Sequence, residues 1–257
     1  MERFGFRFRK NSVHTARTIM LDDLSLLFNH VDAPDASWED YRRAIEEDNC
    51  LGKRSVQSRA LSARHLKELY ILEPSLPLFR SLRYFWNRDQ KGRPLLALLC
   101  AYARDPILRM SAPMILNKLE GSVVSRTAME EHLDNLDPGR FSKATLKSTA
   151  ININATWTST GHLEGCKEKV RVKAQATAGS VSYALLLGYI NGIRGVNLFR
   201  SDYMRLLDCA EQFAMELAAE ASRRGWIIFK RIDTVMEVDF PNLLTPEEQR
   251  WLHEQNR

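Results

Sequence analysis

No stretch of this 257-residue chain is apolar for long enough to cross a bilayer. The longest apolar run, roughly Tyr183 to Ile190, falls far short of the ~20 residues a spanning helix needs. The basic start, MERFGFRFRKNSVHTAR, is not followed by an apolar core and small-residue cleavage site, so it does not read as a secretory signal. Cysteine is scarce and scattered. Cys50, Cys100, Cys166 and Cys209 form no Cys-x-x-Cys and have no histidine at ligand spacing. That pattern argues against a zinc site and fits reduced thiols in a cytoplasm, acting as small buried hydrophobes.

Signatures of catalysis are also missing. Gly188, Gly192 and Gly195 give G-x-x-x-G-x-x-G without the Lys-Ser/Thr of a phosphate loop, and close helix packing accounts for them better. There is no G-x-S-x-G elbow, no His-Glu-x-x-His and no dinucleotide fingerprint after a strand. Asp35 and the later Asp89-Gln90-Lys91 imitate a nuclease spacing, but both stand in polar loops with no strand to carry them. His65, His132 and His162 fall on different elements. No catalytic residue, metal or cofactor is assigned.

What is present is ordinary globular composition, 44% hydrophobic and 27% charged, with a net charge of +5. The positive charge is concentrated. Segment 53–67 carries Lys53, Arg54, Arg59, Arg64 and Lys67 with no acid. Segment 140–173 carries Arg140, Lys143, Lys147, Lys167, Lys169, Arg171 and Lys173 against Glu164 and Glu168. Each segment is +5, so the remainder of the chain is net acidic. Basic patches on an acidic background point to a polyanion partner, the alternative being solvated helix faces.

Periodicity and punctuation predict a mainly α fold: a helical bundle with helix-turn-helix or winged-helix elements and small β-hairpins. The first dozen residues read as a flexible basic arm, followed by a helix over His14 to His30. Ser37 begins a capped helix that breaks at Asn49 to Gly52, and a basic helix then runs from about Ser55 to Leu72. Helix, short Gly-containing turn and basic helix are helix-turn-helix grammar, which places Lys53, Arg54, Ser55, Gln57, Ser58, Arg59 and Arg64 where a recognition helix meets DNA. Helices are expected at about Leu76–Asn87, Pro94–Arg104, Pro106–Leu119 and Arg126–Leu136.

The passage from Arg140 predicts a helix capped by Ser142 and running to about Thr160, rich in Ser, Thr and Asn, which are mediocre helix formers able to bond phosphates and base edges. KEKVRVKAQ then alternates as a half-exposed strand. A helix, a turn and a basic strand pair make a winged helix, with Arg140, Ser142, Lys143, Thr145, Lys147, Lys167, Lys169, Arg171 and Lys173 as DNA-contacting residues. The bland reading is a surface helix beside an edge strand blunted by lysines. Trp157 is either a core anchor or a contact to the DNA backbone. Further on, Ser182 to Ile193 reads as a buried helix, Ser201 caps a long helix ending at Gly225, two short strands surround Asp233, and a short capped helix follows. Three segments result: 1–75, 76–175 and 176–257.

Two passages, NCLGKRSVQSRALSARHLKELY and FSKATLKSTAININATWTSTGHLEG, resemble the BrxA family of bacteriophage-exclusion (BREX) defence systems. The first is similar to that family's Leu-Gly-Lys-Arg-Ser/Thr turn into an arginine-rich helix. The second is similar to its later helix ending in a Gly-hydrophobic-Leu-acidic-Gly turn. The likeness extends from about residue 18 to 240. It implies a compact helical protein that binds double-stranded DNA and works with the other proteins of a phage-defence system; members are sometimes described as membrane proteins, and the absence of any apolar run long enough to span a bilayer speaks against that here. The alternative from the residues alone is a structural adaptor that binds protein or RNA through the same basic patches.

Overall fold

A computed structural model of the chain describes residues 1–8, 10–232 and 235–255. In chain order the helices and strands are α1 (Leu21–His30), α2 (Trp38–Glu46), α3 (Val56–Tyr70), α4 (Pro77–Arg88), α5 (Arg93–Tyr102), α6 (Pro106–Leu116), β1 (Val123–Val124), α7 (Arg126–Leu136), α8 (Lys143–Ser159), β2 (Leu163–Glu164), β3 (Lys169–Arg171), α9 (Ala178–Ile190), α10 (Asp202–Arg205), α11 (Glu211–Arg223), β4 (Ile228–Ile232), β5 (Val235–Asp239) and α12 (Pro246–Gln255). The fold is mainly α with small antiparallel hairpins, and no helix among the described residues is long and apolar enough to cross a membrane.

Local chemistry sets many of these boundaries. Ser37 and Asp40 exchange hydrogen bonds in a capping box at the start of α2, and Ser55 and Ser58 do the same at α3. Ser142 accepts from the Thr145 N–H at α8. Asp105 Oδ1 accepts from the N–H groups of Ile107 and Leu108, next to a proline whose missing N–H costs nothing in a first turn.

Helix α9 lies at the centre. All its residues are buried, against α4, α5, α10 and α11, so it shows no polar stripe. Burying Leu185, Leu186, Leu187 and Ile190 contributes about 1.5–3 kcal/mol each. Asp89 fastens its first turn, accepting from the Gly179 N–H at 2.8 Å and from the Gly92 N–H at 3.1 Å. A Cβ on either glycine would stand under 3 Å from Asp89 atoms, so only glycine lets the backbone approach. Asp89 therefore has a structural post. The glycine at 188 packs on Leu198 and Ser201. The segments anticipated at 1–75, 76–175 and 176–257 all contribute to one hydrophobic core cluster.

Three expectations about local structure are corrected. The N-terminal residues are docked rather than a free arm: Phe4, Phe6 and Val13 are buried, and a 3₁₀ turn forms at Val13–Thr15. The helix anticipated from His14 begins only at Leu21, because residues 13–20 are drawn across α8, where Thr156 Oγ1 accepts from the Ile19 N–H at 2.9 Å. The long helix expected after Ser201 breaks into α10 and α11. Leu206 and Leu207 bury themselves at the break, and Asp208 takes a left-handed φ of 55°. Asp233, around which two short strands are expected, lies outside the described residues.

A short three-stranded sheet has the order β1-β3-β2, all antiparallel, with Val123 opposite Val170 and Leu163 opposite Arg171. Helix α6, strand β1, helices α7 and α8, then the β2–β3 hairpin give the order and sheet arrangement of a winged helix. The strand β1 that completes it is two residues long and gives no alternating pattern in the sequence.

Candidate nucleic-acid interface

Helix α8 occupies the recognition position of this winged helix, packed against α7 and followed directly by the wing. Its core side holds Ala150, Ile153 and Trp157. Trp157 is a core anchor, with its indole N–H donated to Ser111 Oγ at 2.9 Å. On the outward side Lys143, Ala144, Lys147, Ile151 and Ser159 are exposed, the isoleucine at 49%. These positions recur at three- and four-residue spacing and form one stripe along the helix. Among the described residues Lys143 and Lys147 have no acidic partner. Ser142 and Thr145, also expected at the interface, spend their hydroxyls on each other and on the cap.

The polar residues of α8 have a different explanation from the one their composition invites. Thr149, Asn154 and Thr156 are buried, and Asn152 donates to the His14 carbonyl at 3.0 Å. Thr156 Oγ1 also stands 3.1 Å from His14 Nε2. Asn152 and Thr156 thus hold the N-terminal segment against the helix, and the buried Thr149 and Asn154 are likewise unavailable to DNA.

In the wing, Gly165 turns the chain at a φ of 94° and presents Cys166, Lys167 and Glu168 at the tip, all exposed. Cys166 is therefore not the buried small hydrophobe its composition implied. Lys167 is unpaired among the described residues. Lys169 donates to the Gly165 carbonyl at 2.5 Å, and Lys173 faces Glu120 at 3.5 Å. Arg171 overturns its expected role. It is buried, paired with Asp208 at 2.7 Å and bonded to the Ile115 carbonyl at 2.9 Å, so it fixes the base of the wing and cannot reach a phosphate. Arg140 is similarly committed to Asp137 and to the Lys10 carbonyl.

The other anticipated contact region begins after a longer connection than helix-turn-helix grammar predicts. Residues 47–55 join α2 to α3, with Asn49 and Gly52 at positive φ and the Lys53 N–H donated to Asn49 Oδ1. Arg54 and Gln57 are exposed, and Arg54 is unpaired among the described residues. Lys53 is tied to Asp23 at 2.8 Å, while Ser55 and Ser58 serve the cap. Arg59 is half-buried, with its Nε lacking a partner. Arg64 is exposed at the far end of the outward side, 3.9 Å from Glu68.

The two regions meet. A groove of about 480 Å³ is lined by Lys53, Ser58 and Ser62 at the start of α3, by Ala155 and Ser159 of α8, by Arg17 and Thr18, and by the acids Asp22 and Asp23, the second of which neutralises Lys53. The stripe on α8 thus runs into the start of α3. Arg17 is exposed there and was missed in the sequence, because a continuous helix from His14 would have turned residues 17–19 differently. The basic N-terminal composition was the available signal.

The strongest titration shifts belong to buried structural groups. Burial pushes the Tyr70 and Tyr183 hydroxyls up, and raises the Cys100 thiol to about 12. Burial lowers His162 to about 4, where Nε2 bonds the Leu206 carbonyl and Nδ1 faces Thr160 Oγ1. Among the described residues no three His, Cys, Asp or Glu side chains are placed to hold a metal ion. Comparison with protein-family models and with curated proteins gives no match for this chain.

Proposed function

We propose that this protein is a non-enzymatic binder of double-stranded DNA that grips the duplex mainly through phosphates and with low sequence specificity. The observation that carries the reading is the outward stripe of α8, in the recognition position of a winged helix, with unpaired Lys143 and Lys147 and with Lys167 on the adjoining wing. A recognition helix fits the major groove, and lysines beside it meet the backbone. Arg17 lines the groove beside α8, and the exposed Arg54 and Gln57 at the start of α3 continue the face. Arg171 and Arg140 take no part, and Ser55, Ser58, Ser142 and Thr145 act as caps. The resemblance to the BrxA family supports an accessory role beside other proteins of a bacterial phage-defence system.

The test is a duplex titration at several salt concentrations. The intact protein should show a log–log slope of about −0.9 per phosphate neutralised, and a Lys143/Lys147/Lys167→Glu variant should lose about 2.7 or more of it while staying folded. An unchanged slope and affinity would remove the reading. A second reading, an adaptor for protein or RNA, draws on the β4–β5 hairpin, whose Ile232 and Val235 are 79% and 70% exposed. An RNA hairpin outcompeting duplex DNA would favour it.

A further inference from the structure

At the end of α3 away from α8, a second groove of about 450 Å³ gathers four cations: Arg64 and Lys67 from α3, Arg7 from the N-terminal segment, and Arg104 from the end of α5. Its acids are Glu2 and Glu68. Buried Phe6 also lines it. The N-terminal segment is fixed in place, since the Arg7 N–H bonds the Ala103 carbonyl at 3.2 Å and its own carbonyl accepts from Arg109. The cations are thus held together by the fold.

The cations are poorly satisfied. Glu68 stands 3.6 Å from Arg7 Nη1 and 3.9 Å from Arg64 Nε, in neither case at hydrogen-bond distance. Arg104 donates Nε to the Glu68 carbonyl at 2.8 Å and Nη1 to the Gly5 carbonyl, and its Nη2 has no partner among the described residues. Burial pulls the Arg104 guanidinium below its ordinary value, a cost that a nearby anion offsets. Lys67 lies 4.1 Å over the Trp38 ring and has no carboxylate partner among the described residues. One carboxylate shared between two arginines leaves most of their planar donors open, and such forks match the oxygens of a phosphate.

We infer that this groove is a backbone-phosphate site, in which Glu68 acts as an internal counter-ion that a duplex phosphate displaces. It rests on the duplex-binding reading and lengthens it. Gln57, Ala60, Arg64 and Lys67 share the outward side of α3, so the face that starts beside α8 leads into this groove. That continuity, with an excess of open guanidinium donors, favours nucleic-acid backbone over an acidic peptide.

The experiment is fluorescence anisotropy of the full chain on a labelled duplex of about three helical turns, ~30 base pairs, over a range of salt. An Arg7→Ala/Arg64→Ala variant should bind with a slope less steep by about 1.8, two phosphates' worth. Glu68→Gln should do the reverse and tighten binding by about three- to fivefold, which no loss of folding can imitate. If the double variant melts early, because Arg7 is only 16% exposed, Arg64→Glu at a side chain 64% exposed carries the same test, with a slope less steep by about 0.9. A slope unchanged by the arginine variants, or no tightening from Glu68→Gln, with binding by the parent intact, overturns the groove and leaves the α8 face standing. A parent protein that binds no duplex overturns both. Displacement of the duplex by poly-glutamate as readily as by unlabelled duplex would overturn the phosphate assignment and favour an acidic protein partner.

Discussion

Asp105 shows how much one buried charge can organise. It caps α6, accepts from the Val13 N–H at 2.9 Å and from Ser12 Oγ on both oxygens, and stands 3.1 Å from His14 Nδ1 in ion-pair geometry. Burial on its own would raise this carboxyl. The His14 charge and the hydrogen bonds from Ser12, His14 and Leu108 outweigh it and bring the group down to about 2. A carboxylate held below its unfolded value adds stability above about pH 4, and that contribution disappears as the pH falls through about 2. Asp105→Asn keeps a capping oxygen and loses the charge. It should cost about 2–3 kcal/mol at neutral pH in a urea melt, with the difference from the parent shrinking between pH 4 and pH 2. A constant difference across that range would mean that the capping geometry, and not the charge, matters at this residue.

At the scale of elements, the docking of residues 13–20 on α8 is the arrangement that composition conceals. Thr156→Val keeps the shape and leaves the Ile19 N–H without its acceptor and the His14 imidazole without its hydrogen-bond partner, so it should destabilise by about 1–3 kcal/mol. Ser159→Ala, on the exposed stripe, should fall within about 0.5 kcal/mol, and chemical denaturation separates the two. The same pair explains what could be read in advance. Ser37, Ser55, Asp105, Ser142 and Thr245 announce helix starts through local hydrogen bonds, and those starts are legible in the sequence. Whether a threonine of α8 faces DNA or the N-terminal segment depends on a partner more than a hundred positions away, to which local pattern is blind. The basic positions were legible as charge, but Arg171 has the same charge as its neighbours and a buried post, fixed by Asp208 at a helix break that no propensity announced. Strand β1 escaped notice because two residues carry no period.

Across the whole molecule, the central helix decides what can stand alone. The winged helix at 106–171 looks separable by topology, yet its wing base is tied to Asp208 and the Leu206 carbonyl, and the core it shares is closed by α9. A fragment of residues 76–175 leaves α4 and α5 without α9, exposing an apolar surface the fragment cannot cover. Such a fragment should lack cooperative thermal unfolding by circular dichroism, whereas the full chain should show it. A sharp transition in the fragment would establish the winged helix as an independent unit.

The N-terminal segment on α8 also bears on the order of assembly. Its contacts with Thr156 and Asp105 join residues 142 and 93 positions apart, so the segment has no seat until the middle of the chain has emerged. Contacts this distant in sequence are slow to form, and the segment's phenylalanines remain open to solvent and to chaperones until α8 is in place. The face proposed to hold DNA is therefore completed late in folding, by a segment that waits for a partner far along the chain.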